Sequence, residues 1–437
     1  MAPTRLDIGD LQLGVATAAL QIEGGDRNNN WYDWAQLPGT IADASTPLRA
    51  TDHWNRWQDD TALMAELGIQ TYRMSVEWAR IEPEVGRFDD AVLQRYRDEL
   101  AAVVAAGIRP LVTLHHFTNP RWLQRMGEWT NPRAVDLFCR FAGVVVDALG
   151  DLVSDWCTIN EPNVYATQAH LFNEAPPGRA SWRNVRDVLR HMGLAHYRAY
   201  RLIHEAQPEA RVGFAHHMRV FAPLNARNPV QRVLAGVEQY LFQDAIAHAM
   251  LGGRFSKFLG RADGIEPGRY YDYLGLNYYS RTAVSRFAAD GTMPGSPVND
   301  LGWEIYPDGI AECARWLHER YPAPIWITEN GTCDNGSATS PDRFRSRYIA
   351  DHLAALIGSG LPVERYYHWC FVDNWEWSEG EVPRFGLVAL DYETQERTVK
   401  PSGHFYADII ANRGITEDAW QRWVEAERYD MGNPRLP

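Results

Sequence analysis

The stretch Asp155-Trp-Cys-Thr-Ile-Asn-Glu-Pro162 has a counterpart later in the chain, Pro324-Ile-Trp-Ile-Thr-Glu-Asn-Gly331. Each opens with a run of β-branched and aromatic residues, which is typical of a buried strand. Each then places a glutamate, Glu161 or Glu329, beside an asparagine where the run ends. In a chain of alternating strands and helices, catalytic groups are displayed at the carboxyl ends of strands. The two stretches therefore predict a pair of functional carboxyl groups on one face of a sheet.

Strand-like runs recur along the whole chain, and stretches with helical periodicity separate them. We expect strands at 11–17, 70–75, 108–114, 155–159, 211–215, 272–277, 324–328 and 365–370. Right-handed crossovers make such strands parallel. Eight of them predict the α/β class and one (β/α)8 TIM barrel, a single domain over residues 1–437. A doubly wound open sheet is the alternative that the alternation alone leaves open.

Helix ends carry their own signals in this pattern. Asp89 is expected to be the N-cap of a helix on which Leu93, Leu100 and Val104 face the core, and Gly107 is expected to follow its carboxyl end.

Long connections are expected at 18–53, 170–183, 218–228, 280–305 and 372–400. Connections of that length inside a compact domain are usually functional. Since most of them follow strands, they are expected on the carboxyl-terminal face of the barrel.

Composition excludes several classes of function. The formal charge of −13 and the lack of a basic stretch argue against nucleic acid as a partner. A membrane-spanning helix needs about 20 consecutive apolar residues, and the sequence contains no such run. Met1 to Asp10 lacks the apolar core of a signal peptide. Five unclustered cysteines indicate reduced thiols in a cytoplasmic protein and no metal site. The 17 Trp and 20 Tyr supply flat rings for polar, flat-faced ligands such as sugars.

Two carboxyl groups are what the hydrolysis of a glycosidic bond requires. One carboxyl protonates the departing oxygen, and the other assists the oxocarbenium-like centre. The donor must be held neutral near the working pH while its partner stays ionised. The alternative is that Glu161 lies on the rim of a barrel and has no role in catalysis. Two glutamates at the ends of the fourth and seventh strands favour paired-carboxylate chemistry instead.

On Thr158-Ile-Asn-Glu-Pro162 and Ile327-Thr-Glu-Asn-Gly331, and over nearly its whole length, the chain resembles glycoside hydrolase family 1, the β-glucosidase family. The resemblance implies that Glu161 is the acid/base and Glu329 the nucleophile. It implies double displacement with retention of the β configuration and carboxyls about 5–5.5 Å apart. No metal and no organic cofactor is implied.

The resemblance also assigns the residues of the sugar site. Arg73 and Tyr279 are expected to hold the nucleophile ionised. Substrate binding is expected at Gln21, His116, Phe117, Asn160, Asn277, Tyr279, Trp303, Trp369, Glu376, Trp377 and Phe385. Asn173 and His217 join Trp303 as candidates for the leaving-group pocket by their location alone.

Two positions bear on the substrate. Phe117 stands where the family commonly has tryptophan, so the hydrogen bond of an indole N–H to a sugar hydroxyl is expected to be missing or replaced. Glu376 stands in the region where relatives acting on 6-phosphorylated sugars use serine, lysine and tyrosine. A carboxylate there repels phosphate and favours an unphosphorylated sugar.

We therefore expect a retaining β-glycosidase that acts on a small β-glycoside or short oligosaccharide. A transglycosylase working through the same glycosyl-enzyme is an alternative. A thioglucosidase would carry glutamine in place of Glu161, and a non-catalytic sugar-binding relative would lack one of the two glutamates. The identity of the glycone, the natural leaving group and the choice between monomer and homo-oligomer stay open.

Overall fold

The architecture is a closed barrel of eight parallel strands, as given by a computed structural model that describes residues 5–262, 264–288, 291–337 and 339–431. Neighbouring barrel strands follow chain order, and the eighth pairs with the first from Gln12↔Arg365 to Ala16↔Trp369. The eight strands are Gln12–Ala16, Thr71–Ser75, Arg109–His115, Asp155–Asn160, Arg211–Pro223, Leu274–Val284, Ile325–Asn330 and Val363–Trp369. The prediction of a (β/α)8 barrel is confirmed, and the open sheet is wrong.

Helices connect the strands and cover the outside of the barrel. The α-helices are Ala19–Glu23, Asn30–Ala35, His53–Glu66, Trp78–Ile81, Asp90–Ala105, Arg121–Arg125, Arg133–Leu149, Pro162–Thr167, Trp182–Ala206, Pro229–Gln239, Ala245–Gly252, Asp308–Arg320, Arg345–Gly358, Pro401–Asn412 and Glu417–Trp423. Two π-helical turns, Gln168–Phe172 and Tyr240–Asp244, and two 3-10 turns, Glu128–Thr130 and Trp377–Glu379, complete the helical part.

Two small antiparallel ladders lie outside the barrel. Leu6–Asp7 pairs with Gly414–Ile415, and Val388–Leu390 pairs with Arg397–Val399.

The predicted caps Asp89 and Gly107 lie at the two ends of the helix Asp90–Ala105. The Asp89 side chain accepts hydrogen bonds from the backbone N–H groups of Ala91 and Val92, and Gly107 adopts a positive φ of 77°, so both caps are confirmed. The buried stripe runs through Tyr96, Leu100 and Val103. Because the stripe ends on Val103, the expectation for Val104 is wrong, and its side chain is 42% exposed.

Two of the expected loops begin as strands. Arg211–Pro223 and Leu274–Val284 stay paired beyond the barrel rim, with Val220 opposite Arg281 and Pro223 opposite Val284. The predicted loop boundaries at 218 and 280 are therefore wrong. The cause is that backbone pairing continues past the point where side chains stop filling the barrel, which produces a two-stranded extension above the carboxyl-terminal face.

The chain's five cysteines are all buried, and none is paired in a disulfide. None of the described helices combines the length and the apolar character needed to cross a bilayer.

A buried charge cluster joins two of the outer helices. His53 lies between two carboxylates, with Nδ1 2.7 Å from Asp60 Oδ2 and Nε2 2.8 Å from Glu99 Oε1. Burial alone lowers the pKa of His53, but the two carboxylates reverse this effect and raise the pKa to about 9. The imidazolium form therefore stabilises the folded state.

This cluster predicts a pH-dependent stability. An unfolded histidine has a pKa of about 6.5, so the contribution of His53 is fully present below that pH and is lost as the pH rises through about 9. The Tm of the protein should exceed that of His53→Gln by an amount that shrinks between about pH 6.5 and 9.5, with a contribution on the order of 2 kcal/mol at pH 6. Thermal unfolding at a series of pH values measures this difference.

The matched control is His404→Gln, because His404 is exposed. If the His53 and His404 variants show the same dependence on pH, the buried imidazolium is not what stabilises this region.

Candidate active site

Glu161 lies immediately after the fourth barrel strand, where the backbone turns into the helix Pro162–Thr167. Its φ of 42° and ψ of 61° are left-handed, a conformation that a non-glycine residue adopts only when its surroundings impose it. Its N–H donates to the Ala215 carbonyl at 2.8 Å, and proline fits the first helical position. The neighbouring strand and Pro162 therefore fix the place of the carboxyl group.

Glu329 lies within the seventh strand, opposite Asn277 in the register. Two donors hold its carboxylate. Arg73 Nη1 contacts Oε1 in a buried ion pair, and the Tyr279 hydroxyl donates to Oε2 at 2.7 Å. Both of the residues expected to support the nucleophile therefore contact it.

The two carboxyl groups line the same cavity, which has a volume of about 910 Å³. A short hydrogen-bonded path connects them. Asn160 Oδ1 accepts from Arg73 at 2.6 Å and from Asn277 Nδ2 at 3.1 Å, and Asn277 Nδ2 also donates to Glu161 Oε1 at 2.9 Å. The Thr328 hydroxyl donates to Asn277 Oδ1 at 2.6 Å and fixes that amide's orientation.

His217 has a larger part in the site than the sequence indicated. Its Nδ1 lies 3.0 Å from Glu161 Oε1, at the point where the fifth strand leaves the barrel. The ring also stacks on Tyr279, with the ring centroids 6.0 Å apart. One feature of the sequence could have indicated this role. The pair His216-His217 follows a predicted strand, just as His115-His116 follows the third predicted strand.

The two glutamates titrate as a pair. Burial, opposed by the Arg73 guanidinium and reinforced by Glu161, raises the pKa of Glu329 to about 7. Burial acts on Glu161 in the same direction, and the hydrogen bonds from His217 and Asn277 oppose it there. Interacting buried carboxyls share their protons, so the pair keeps one proton up to about neutral pH.

The donors decide which member of the pair holds that proton. Arg73 is a permanent cation, and burial beside Glu329 raises its pKa further because the carboxylate outweighs the desolvation. Glu161 instead receives hydrogen bonds from His217 and Asn277, neither of which is a permanent cation. The arrangement thus favours negative charge on Glu329 and the remaining proton on Glu161.

Tyr279 is a stable proton donor. Burial and the nearby Glu329 and Glu161 carboxylates raise the pKa of its phenol well above the ordinary value. The hydroxyl therefore stays protonated and continues to stabilise the charge on Glu329.

One end of the cavity is built around Gln21 and Glu376. Gln21 Nε2 donates to Glu376 Oε2 at 3.1 Å and to the Trp375 carbonyl at 3.0 Å, which leaves its buried Oε1 without a partner among the described residues. Burial and repulsion by Glu329 raise the pKa of Glu376 to about 8. This pair offers acceptors and a proton-bearing carboxyl to the hydroxyl groups of a ligand.

The hydrogen bonds fix the tautomer of His116. Arg73 only donates, so the oxygen of Asn160 faces Arg73 and its NH2 group faces His116 Nε2, at 3.0 Å. Burial, Arg73 and His115 together lower the pKa of His116 well below its ordinary value, so the ring is neutral. Its proton therefore lies on Nδ1, which is buried and has no partner among the described residues.

Aromatic side chains form part of the cavity wall. His116 stacks between Trp369 and Trp377, with centroid distances of 5.9 and 6.0 Å, and Phe117 presents an edge to Trp377 at 5.2 Å. Trp303 contacts Tyr279 and Phe385, with centroids 5.7 and 6.0 Å apart, in the same cluster of buried and half-buried rings as Trp369 and Trp377. Such rings can bind the apolar faces of a sugar.

The structure brings the expected site residues together. Those that line the cavity are His116, Phe117, Asn160, Glu161, Asn173, His217, Tyr279, Trp303, Glu329, Trp369, Glu376, Trp377 and Phe385. Gln21, Arg73 and Asn277 are not in the cavity wall itself, and each is hydrogen-bonded to a residue that is.

The arrangement suits acid–base and nucleophilic chemistry by two carboxyl groups. One carboxylate is held by a cation and a phenol, and a second carboxyl can carry a proton beside it. Among the residues that the structure describes, no group of three or more His, Cys, Asp or Glu side chains is arranged to hold a metal ion.

Comparisons with known proteins agree with this geometry. The sequence model described as glycosyl hydrolase family 1 matches residues 8–415. β-Glucosidase A of Thermotoga maritima is 32% identical, covering 92% of this chain and 97% of that protein. The 1,4-β-D-glucan glucohydrolase of Thermotoga neapolitana is 31% identical, covering 92% and 98%. A solved structure of the T. maritima β-glucosidase in complex with glucoimidazole is 29% identical, with a TM-score of 0.85 and coverage of 94% and 99%.

Proposed function

Since the chain belongs to glycosyl hydrolase family 1 and is therefore a glycoside hydrolase, we propose that it releases β-linked glucose from the non-reducing end of a small β-glucoside with retention of configuration. One observation carries the proposal. Glu329 and Glu161 face one cavity, the first held by Arg73 and Tyr279 and the second by His217 and Asn277.

The first chemical step forms a covalent bond to Glu329. Its carboxylate attacks the anomeric carbon while Glu161 donates its proton to the departing oxygen. The bond between that carbon and the oxygen breaks, and the leaving group departs as a neutral alcohol or phenol. The Tyr279 hydroxyl and Arg73 keep Glu329 ionised until the attack.

The second step releases the sugar. Esterification removes the negative charge of Glu329, so the pKa of Glu161 falls and its carboxylate can act as a base. It takes a proton from water, which attacks the same carbon and displaces Glu329. Two inversions restore the β configuration.

An unphosphorylated sugar fits the deep end of the cavity. Glu376 and Gln21 are bonded to each other there, and they offer a carboxyl group and an unpartnered amide oxygen. Hydroxyl groups can bind to both, whereas a phosphate would add negative charge beside Glu329 and Glu376, whose mutual repulsion already raises the pKa of Glu376. His116, with its proton on Nδ1, supplies a further donor.

We also propose that the enzyme acts in the cytoplasm, in carbohydrate metabolism, as one domain over residues 1–437. The five buried, unpaired thiols support a reducing compartment. The closed barrel, whose first and last strands pair directly, supports a single folding unit.

Removal of the nucleophile tests the proposal. Glu329→Gln should lower kcat/KM for 4-nitrophenyl β-D-glucoside by an amount equivalent to about 3–6 kcal/mol, because the amide cannot form the glycosyl ester. Steady-state kinetics on both proteins measure the loss. Equal rates would remove Glu329 from the mechanism.

The acid/base is tested separately with Glu161→Ala. Azide needs no general base, so it should partly restore turnover of an activated aryl glucoside and yield β-glucosyl azide. An α-glucosyl azide would contradict retention.

The paired titration predicts the pH profile. The plot of kcat/KM should be bell-shaped, since Glu329 is protonated at low pH and Glu161 loses its proton at high pH. The alkaline limb should lie near pH 7, where the pair gives up its shared proton.

His217→Phe should move that limb upward by about 0.5–1 pH unit, because the phenyl ring fills the space and no longer donates to an ionised Glu161. The acid limb should stay in place. A variant whose two limbs both match the wild type would show that His217 does not act on Glu161.

A further inference from the structure

We propose that the leaving-group half of the cavity binds a large apolar, aromatic aglycone in preference to a second sugar. The inference rests on the proposed β-glucosidase function and adds the chemical class of the aglycone. It is carried by the aromatic residues that extend from Glu161 to the mouth of the cavity and by the hydrogen bonds that occupy the charged groups among them.

The position of Glu161, the proposed acid/base, locates the leaving-group half of the cavity. The leaving oxygen takes its proton from Glu161, so the aglycone must lie on the Glu161 side, away from the deep end that holds Gln21 and Glu376. His217 contacts Glu161 there, and the ring of Phe242 meets the edge of His217 with centroids 5.8 Å apart. Phe221 continues the same wall at 5.9 Å from Phe242. The Arg219 guanidinium also lines the cavity and lies over Phe242, 5.2 Å from the ring centroid, so the wall beside the proton donor consists of aromatic rings and one cation that is in contact with them.

Two irregular elements build that wall. Phe221 lies on the two-stranded extension, opposite Thr282, beyond the barrel proper. Leu241 and Phe242 lie in the π-helical turn Tyr240–Asp244, and both line the cavity. Insertions of this kind in a helix are frequent at functional sites. Both features direct apolar side chains towards the space in front of Glu161.

Three large aromatic side chains line the cavity and reach solvent. Phe172, Trp182 and Phe287 are 46%, 46% and 43% exposed. Trp182 and Phe287 face each other with ring centroids 6.3 Å apart. Since exposure of apolar rings is unfavourable, a cluster of them at the rim of a cavity marks a binding surface.

Charged groups in this region are bonded to the protein. Arg281 Nε donates to Glu304 Oε1 at 2.8 Å, and Glu238 Oε1 accepts from the backbone of Ala288 at 2.7 Å. The deep end differs, because Gln21 Oε1 and His116 Nδ1 are buried there without partners. On the aglycone side, Thr292 Oγ1 is a buried polar atom without a hydrogen-bond partner among the described residues, and it lies among several rings that can bind an apolar group.

The balance of these effects favours an apolar occupant. A second sugar would place several hydroxyl groups against Phe221, Phe242 and Trp182, and each hydroxyl without a partner costs free energy. A ring system of the same size would remove apolar surface from water on both sides of the contact.

The test compares three β-D-glucosides: phenyl, biphenyl-4-yl and cellobiose. The two phenols have similar acidity, so the chemical step is alike and the second ring reports on binding. We expect kcat/KM for the biphenyl glucoside to exceed that for the phenyl glucoside by about tenfold or more, mainly through KM. Cellobiose should have the highest KM of the three; KM is compared because its sugar alcohol is a poorer leaving group than a phenol and slows the chemical step.

Variants at the mouth locate the effect. Trp182→Ser and Phe287→Ser should each reduce the biphenyl-to-phenyl ratio towards one, and Trp182→Phe should restore most of it because a ring is retained. Val104→Ser is the matched control, since Val104 is an exposed apolar residue that is not part of the cavity lining. It should keep the wild-type ratio.

Two results would overturn the inference while leaving the hydrolase function intact. One is a biphenyl-to-phenyl ratio near one in the wild type, and the other is a KM for cellobiose at or below that for the biphenyl glucoside. Failure to hydrolyse any of the three would contradict the β-glucosidase function itself, and with it the inference.

Discussion

The site depends on one buried cation. Arg73 has no solvent exposure, and its guanidinium binds groups from the third, fourth and seventh barrel strands: Thr113, Asn160, the Thr328 carbonyl and Glu329. A buried guanidinium is costly unless a carboxylate and further acceptors surround it. That requirement fixes the charge on Glu329 and orients Asn160, which in turn orients His116 and Asn277. The orientation of the polar groups around Glu329 therefore depends on this one side chain.

The chemical character of the cavity wall changes from its inner end towards solvent. The carboxyls of Glu161, Glu329 and Glu376 line one cavity, and their burial and mutual repulsion keep protons there near neutral pH, as the raised pKa values of Glu329 and Glu376 indicate. Such a pocket can both donate to and accept from hydroxyl groups. Towards solvent, hydrogen-bonding groups are increasingly bonded to the protein, and rings such as Phe242 and Trp182 take their place. One cavity can therefore hold a polar ring at one end and an apolar ring at the other.

The sequence was sufficient to predict the barrel, because the alternation of strands and helices is a local signal that repeats eight times. It also predicted both glutamates, since each lies at the carboxyl end of a strand-like run. His217 could not be ranked above other histidines, because its role depends on a contact with Glu161, 56 residues away in the chain. The two-stranded extension and the π-helical turn were not predicted for the same reason. Pairing past the rim and one inserted residue in a helix leave no distinct periodicity in the sequence.

The most direct test of the central claim is to identify the residue that becomes bonded to the sugar. A 2-deoxy-2-fluoro-β-D-glucoside with an activated leaving group should glycosylate the enzyme and then turn over slowly, because fluorine destabilises the oxocarbenium-like transition states of both steps. Peptide mapping by mass spectrometry should find the fluoroglucosyl group on Glu329. A label on Glu161 or Glu376, or turnover without any covalent intermediate, would contradict the account.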